Sequence, residues 1–484
     1  MRVSTKLNEA ARKDFLRLSL AIFFVLVLTL FCQSVQYPLI IPLLLLFLGT
    51  HLYFLKNADI KRFLKLGLLL AILSFTVHLS REYGIFSSLY IPTAAAAMLT
   101  MLLFNDLELA FLMALTSSLL VVLIGGEGMG MMLTLFLGSL IGVYSVREAR
   151  TRGQIIGAGL FVSLIQVICF TLSHFDLQRI MTGEFGTQFL YPLTVNGFIA
   201  AFVVMATLKI FEYLFGVLTN FSLLELSDFN HPLLKKMILE APGTYHHSLV
   251  VSNLAEAASD AIGANALLAR VGAYYHDIGK LVKPEYFTEN QIGMSNKHDN
   301  IEPSVSRLVI LNHVKEGMDL ARKYKLSQTI IDFIPQHHGT SLMHYFYQRA
   351  LEEAQDSTAV KEEDFRYPGP KPQTKEAAII MLADSSEGAT RSLDEATQAN
   401  IEETVKKIIN NKFIDGQLDE CLLTLAEINK ISLTFSRVLG AMYHSRVKYS
   451  EKRNGSKNGN SSRKLAEKNT HPPASDQKGR KSNP

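Results

Sequence analysis

Apolar residues are unevenly spread along the chain. Between residues 14 and 216 they gather into long runs, and from 217 to 448 they fall into the 3–4 spacing of half-buried helices. A helix that crosses a bilayer needs about 20 mostly apolar residues. Eight runs meet that need, at 14–32, 37–55, 63–81, 86–104, 107–125, 129–146, 154–173 and 190–215. Several are separated by only a few residues, so they form tight helical hairpins. Pro92, just ahead of Ala94–Ala97, predicts a kink in the fourth run, and the small residues predict close helix packing. Strand-like alternation is scarce. The fold expected is all-α: a polytopic transmembrane helical domain of about eight spans, followed by an all-helical soluble domain.

These patterns divide the chain into five parts: an N-terminal segment with the first span (1–36), a seven-helix membrane domain (37–216), a juxtamembrane connector (217–240), a helical domain (241–448) and a basic tail (449–484). The connector holds Leu223-Leu224-Glu225-Leu226 and then Asn230-His231-Pro232. It reads as a short amphipathic helix ended by a turn, serving either as a transmission element or as a plain tether. The tail is rich in Lys, Arg, Asn, Ser and Gly and has too few apolar residues to form a core, so disorder is expected.

Charge sets the orientation. Arg2, Lys6, Arg12, Lys13 and Arg17 precede or open the first run; Lys56, Lys61, Arg62 and Lys65 surround the second loop; Arg147, Arg150 and Arg152 surround the sixth. The opposite loops carry only Arg81 and Arg179. Basic loops stay on the cytosolic side, which places the N-terminus and, after eight spans, the helical domain in the cytosol of a multi-pass cell-membrane protein. The first run is long and lacks a small-residue cleavage site, so it reads as a retained helix. The spans contain almost no ionisable residues, which argues against transport. Lys209 and Glu212 sit near the inner end of the last span at i,i+3 spacing and are expected to pair or snorkel. The net charge of +4 is small for 484 residues, and no aromatic-plus-basic cluster suggests a nucleic-acid polymer as partner. Cys32, Cys169 and Cys421 are too scattered for a disulfide framework or a CxxC metal pair.

The histidines are concentrated. Of fourteen, nine lie between His231 and His344. In order, the chain offers His246-His247, His276-Asp277, His313, His337-His338 and Asp384, each within or beside a helical pattern. Separate helices that project ligands inward build metal sites in helical domains. Adjacent residues on a helix point about 100° apart, so only one of His246 and His247 is expected to serve. His337 and His338 can both serve at a helix end, which Pro335 and Gly339 suggest. His231, His298 and His344 read as ordinary core or surface residues, with His298-Asp299 kept as a pair near the site. Five histidines and two aspartates exceed the needs of one ion and suit two. Imidazole and carboxylate together suit Mn²⁺ and Fe²⁺, and two ions about 3.5–4 Å apart clamp a phosphate for in-line displacement.

The order H…HD…H…HH…D resembles the HD superfamily of metal-dependent phosphohydrolases. Longer stretches are more specific: APGTYHHSLVVSNLAEAA (241–258), ARVGAYYHDIGKLVKPEYFTENQ (269–291), DFIPQHHGT (332–340) and FRYPGPKPQTKEAAIIMLADSSEGATRS (365–392) resemble the membrane-anchored 7TM-HD family of bacterial cyclic-di-AMP phosphodiesterases. The resemblance implies hydrolysis of cyclic-di-AMP to pApA by a dinuclear-metal-activated hydroxide, in second-messenger turnover. It selects His247 over His246. It implies one metal on His247, His276, Asp277 and Asp384, the other on Asp277, His313, His337 and His338, with Asp277 bridging and Mn²⁺ or Fe²⁺ as cofactor. Asp277 and Lys280 are the expected catalytic residues. Lys280 and Arg391 are expected to bind substrate phosphate, and Tyr367–Pro372 either shapes the pocket edge or connects helices. The expected partners are a cyclic dinucleotide and the lipid bilayer; a homodimer is left open. Family members typically carry a large extracellular domain after the first span, and here only residues 33–36 separate the first two spans. The alternatives are hydrolysis of another nucleotide, cyclic-di-GMP or guanosine tetraphosphate, or nucleotide binding without catalysis. The Gly-Tyr-Pro signature of the cyclic-di-GMP group does not follow His337-His338 here.

Overall fold

The structure, a computed structural model, describes residues 60–84, 87–174, 183–291, 296–354 and 360–444. The runs at 14–32 and 37–55 and the basic tail lie outside the described residues. Within them the fold is helical, and the one β-type pairing is the isolated bridge of Leu342 with Arg366.

Among the described residues, six α-helices belong to the membrane half: α1 (Ile60–Tyr83), α2 (Thr93–Phe104), α3 (Leu107–Gly125), α4 (Met129–Val146), α5 (Arg152–Ser173) and α6 (Tyr191–Phe215). Five helical stretches among the described residues are long and apolar enough to cross a bilayer: Lys61–Tyr83, Leu107–Gly125, Met129–Val146, Arg152–Ser173 and Gly186–Phe215. Local sequence explains the boundaries. Asn105 takes a left-handed conformation that ends α2, and the Asp106 side chain accepts from the Leu109 amide at 3.2 Å to cap α3. Two residues therefore suffice for that hairpin.

The run at 86–104 departs from the expected kinked span. Its helix α2 is 12 residues long, about 18 Å at 1.5 Å per residue, well short of a ~30 Å hydrocarbon core. Pro92 cannot donate into a preceding turn, and the chain before it leaves the α-helix for the single 3₁₀ turn Ser88–Tyr90. The freed carbonyls of Leu89 and Ile91 both accept from the buried Asn196 amide at 2.8 Å. Helices α5 and α6 touch backbone to backbone, because Gly159 and Gly197 face one another and a Cβ on either would collide with the other's carbonyl oxygen.

The chain then passes through α7 (Asn220–Leu226) and α8 (Pro232–Glu240), so the connector is two short helices. The helical domain follows: α9 (Pro242–Ile262), α10 (Ala266–Tyr275), α11 (Pro303–Lys323), α12 (His344–Glu353), α13 (Lys375–Arg391), α14 (Gln398–Ile414) and α15 (Leu425–His444). Its core is centred on α13, whose run Ala377–Ala383 is buried on every side, with α9, α10, α14 and α15 packed around it.

Candidate metal centre

Five separate segments deliver the site. Helix α9 brings His247 to the interior and leaves His246 exposed, as the 100° step between neighbours requires. Helix α10 stops at Tyr275; His276 caps it and Asp277 opens the 3₁₀ segment Ile278–Val282. Helix α11 carries His313. The turn Phe333–Gln336 ends at His337 and His338, with Gly339 left-handed just beyond, and α13 carries Asp384. Gly279 lets α11 approach: a Cβ there would collide with the carbonyl oxygen of His313. Any other residue would push His313 away from Asp277.

All seven residues expected as metal ligands converge. His247, His276, Asp277 and Asp384 form one group, and Asp277, His313, His337 and His338 form another; within each, ligand atoms lie within 4.8 Å of one another. Asp277 belongs to both. Its Oδ2 is 3.2 Å from His276 Nε2 and 3.7 Å from His247 Nε2, while its Oδ1 is 3.5 Å from His313 Nε2 and 3.7 Å from His337 Nε2. Each carboxylate oxygen thus faces one group. Asp384 Oδ1 is 3.0 Å from His247 Nε2 and 3.8 Å from His276 Nε2.

Three of the imidazoles are held by one device. The Nδ1–H of His276 donates to the Ala273 carbonyl at 2.7 Å, that of His337 to Ile334 at 2.6 Å, and that of His313 to Ile310. A carbonyl only accepts, so the proton sits on Nδ1 and Nε2 is turned to the centre. His247 is held instead by a carboxylate: its Nδ1 lies 2.6 Å from Glu387 Oε2, one turn beyond Asp384 on the same helix. His338 stacks on Tyr367, with ring centroids 4.1 Å apart.

The donor set fits divalent ions. Nε2 of His276, His313 and His337 and Oδ1 of Asp277 are buried without a hydrogen-bond partner, a condition that costs ~1–3 kcal/mol per group. Mixed imidazole and carboxylate donors suit first-row divalent ions. The electrostatics agree. Burial alone would raise the Asp277 carboxyl; Lys280 and His276 outweigh it and hold that carboxyl well below the usual range. Burial would depress His276, yet Asp277 lifts it to about 10. Burial and the neighbouring His276 push His337 down to about 3, and burial with His337 and His313 drives His338 well below the ordinary value. Neutral His313, His337 and His338 and an ionised Asp277 are forms that bind metal, whereas His276 is held protonated by Asp277 and must release that proton to a metal.

Lys280 is half-buried, with Nζ 2.8 Å from Asp277 Oδ2 and 2.7 Å from Glu289 Oε1. It is paired with the shared carboxylate and not extended into open space. Arg391 is 42% exposed at the end of α13, 3.8 Å from Glu387 Oε1. His298 bonds the Tyr286 carbonyl at 2.9 Å, outside both groups. Glu387 and Glu289 were not anticipated. Glu387 has a signal, its i+3 spacing from Asp384; Glu289 has none, because its position depends on the path of a loop.

Two family models divide the chain between them. The first is described as "7TM receptor with intracellular HD hydrolase" and matches residues 34–219; the second, the HD domain, matches residues 244–389. A helical membrane unit joined to an HD domain is the class that fold and site define. The chain belongs to the membrane-anchored 7TM-HD family. Curated relatives include the cyclic-di-AMP phosphodiesterase PgpH of Bacillus subtilis (39% identical over 428 residues, 84% of this chain and 59% of that protein) and that of Listeria monocytogenes (43% over 367 residues, 74% and 50%). The chain therefore spans between half and three fifths of the length of these relatives. Among solved structures, the L. monocytogenes PgpH HD domain in complex with cyclic-di-AMP is 52% identical, covering 45% of this chain and 100% of that one, with a TM-score of 0.43.

Proposed function

We propose that the chain is a metal-dependent phosphodiesterase that hydrolyses cyclic-di-AMP to pApA, with its HD domain on the cytosolic side of the cell membrane. The observation that carries the reading is Asp277, one carboxylate shared by two four-donor groups whose inward atoms lack other partners. Two divalent ions, Mn²⁺ or Fe²⁺, would be held by His247, His276, Asp277 and Asp384 and by Asp277, His313, His337 and His338. Bound there, they would supply Lewis acidity at a phosphate and lower the pKa of water. In hydrolysis the oxygen of water bonds to phosphorus, the P–O3′ bond breaks, and the 3′ oxygen takes a proton.

The chain's own residues prepare that chemistry. The carbonyls of Ala273, Ile310 and Ile334 fix the imidazoles, so little reorganisation is left for the reaction. Lys280 keeps Asp277 ionised in a buried place and is a cation placed beside both donor groups, where a substrate phosphate would meet it. Arg391 is proposed as a second phosphate contact at the rim. The curated relatives named as cyclic-di-AMP phosphodiesterases support the choice of substrate. The cytosolic side rests on the basic loops around Lys61 and Arg150.

The test is turnover by the purified full chain with Mn²⁺, offered cyclic-di-AMP, cyclic-di-GMP and guanosine tetraphosphate in parallel. The reading expects pApA from the first and little product from the others. Preference for either rival would replace the substrate assignment. Metal binding without turnover of any would make the protein a nucleotide-binding receptor.

A further inference from the structure

Helix α7 belongs to both halves of the molecule. Val217 and Phe221 pack into the membrane core, while Leu223 is part of the HD core and Leu218, Leu224 and Leu226 pack against it. The helix has seven residues, about 10 Å of length, and it is bonded at both ends. At the membrane end the buried Glu212 of α6 accepts from the hydroxyls of Thr219 and, at 2.7 Å, Ser222. Lys209 reinforces this, with Nζ 3.0 Å from Ser222 Oγ and 2.7 Å from Glu225 Oε2. At the other end the Tyr275 hydroxyl donates to the Leu226 carbonyl at 2.7 Å. The last carbonyls of a helix have no partner inside it, and this one is satisfied from α10. Tyr275 is fully buried, its ring edge-on to His231 at 5.6 Å, and the next two residues are His276 and Asp277.

We infer that α7 is a strut through which the membrane half sets the position of the His276–Asp277 pair, with Tyr275 as the positioning residue at its far end. The inference rests on the metal-centre reading of that pair. No free chain separates the pieces. A shift of the inner end of α6 carries Thr219 and Ser222 with it; α7 moves as a unit; Tyr275 passes the movement to the last turn of α10. The His276 imidazole follows, because its Nδ1 is bonded to the backbone of that same turn. A tether would need none of these polar bonds, since the apolar contacts alone would hold the two halves together.

The experiment uses the full chain in detergent or lipid nanodiscs, with Glu212→Gln, Tyr275→Phe and the double variant. Two readouts are taken: Mn²⁺ affinity and amide hydrogen exchange across residues 273–280. Tyr275→Phe is expected to weaken Mn²⁺ binding toward the lower end of the ~10–100-fold range typical of groups that support metal ligands. Glu212→Gln, in the other half of the molecule, is expected to weaken it by a smaller factor and to speed exchange in 273–280. The double variant should be no worse than Tyr275→Phe alone, since both act through one element. The strut is overturned if Glu212→Gln changes exchange only in α6 and α7, or if the two substitutions multiply as independent effects. Should the unsubstituted protein bind no Mn²⁺, the metal reading fails, and the exchange data alone decide the strut. Glu212→Gln keeps the test open even if Tyr275→Phe does not fold.

Discussion

In the membrane half, several buried hydroxyls turn back onto their own helices. Thr100 donates to the Ala96 carbonyl at 2.8 Å, Ser139 to Leu135 at 2.8 Å and Thr134 to Gly130 at 2.9 Å. In the HD half, buried polar side chains face one another across helices and leave Nε2 and carboxylate atoms open. A hydroxyl bonded four residues back is neutral and satisfied, and it reports packing. Converging imidazoles and carboxylates would be costly unless something joined them. The contrast extends to cavities. A cavity of about 670 Å³ lies among α1, α2 and α6, lined by residues such as Leu69, Ile72, Leu99, Val203 and Phe211. It offers no convergent polar group, and the chemistry lies elsewhere. Convergence, more than burial or volume, marks the site.

The comparison is most easily broken at Asp277. Replacing it with Ala should remove both metals and all measurable turnover, exceeding the ~100-fold upper cost of losing a mere supporting partner; metal analysis and product chromatography would show it. Activity surviving the change would rule out a shared carboxylate. Next is Glu387→Gln, which weakens the hold on His247 Nδ1 and should cost ~10–100-fold in metal affinity, read by titration calorimetry, with the fold intact by circular dichroism.

The metal-free HD half should also lose stability as pH falls from 7 to 5. His313, His337 and His338 have depressed values in the fold, whereas an unfolded imidazole titrates near 6.5. Below that pH the unfolded chain binds more protons, so stability drops, by on the order of 1 kcal/mol per pH unit for each histidine. His247 and His276 act oppositely: their contribution is complete below pH 6.5 and is lost as pH rises, for His276 through about 10. Melting curves at pH 5 and 7 in a chelator would check this, and a higher melting temperature at pH 5 would refute it. The smallest effect belongs to the membrane half. Gln166 is fully buried with neither amide atom bonded, so Gln166→Leu should stabilise by ~1 kcal/mol, seen as a later loss of helicity on heating in detergent. A destabilised variant would mean that the amide has a partner.

Much of this was legible in the sequence, for reasons that differ by residue. The long apolar runs and the 3–4 spacing announce helices because burial sets both patterns. The sequence at Pro92 reads as a kink, not as a lost turn; that outcome depends on Asn196, over a hundred residues away, being placed to donate to the freed carbonyls. The seven converging residues stand out because histidine is rare and their order is distinctive. The choice between His246 and His247 needed the family spacing, since a single helix does not say which face is inward. Lys280 looked like a cation for substrate because it follows Asp277 at i+3; its second partner, Glu289, comes from a loop that local pattern does not place. The carbonyls that orient His276, His313 and His337 leave no mark in the sequence at all, as every residue has one.

Gly279 presses directly on the peptide group of His313, with no side chain between them. The distance of His313 from Asp277 is therefore gauged by main chain against main chain. Side chains hop between rotamers and can be repacked by mutation or by a change of temperature; peptide groups cannot. Under the proposed function two ions working on one phosphate would demand a fixed separation, and the fold would supply it from its least adjustable material.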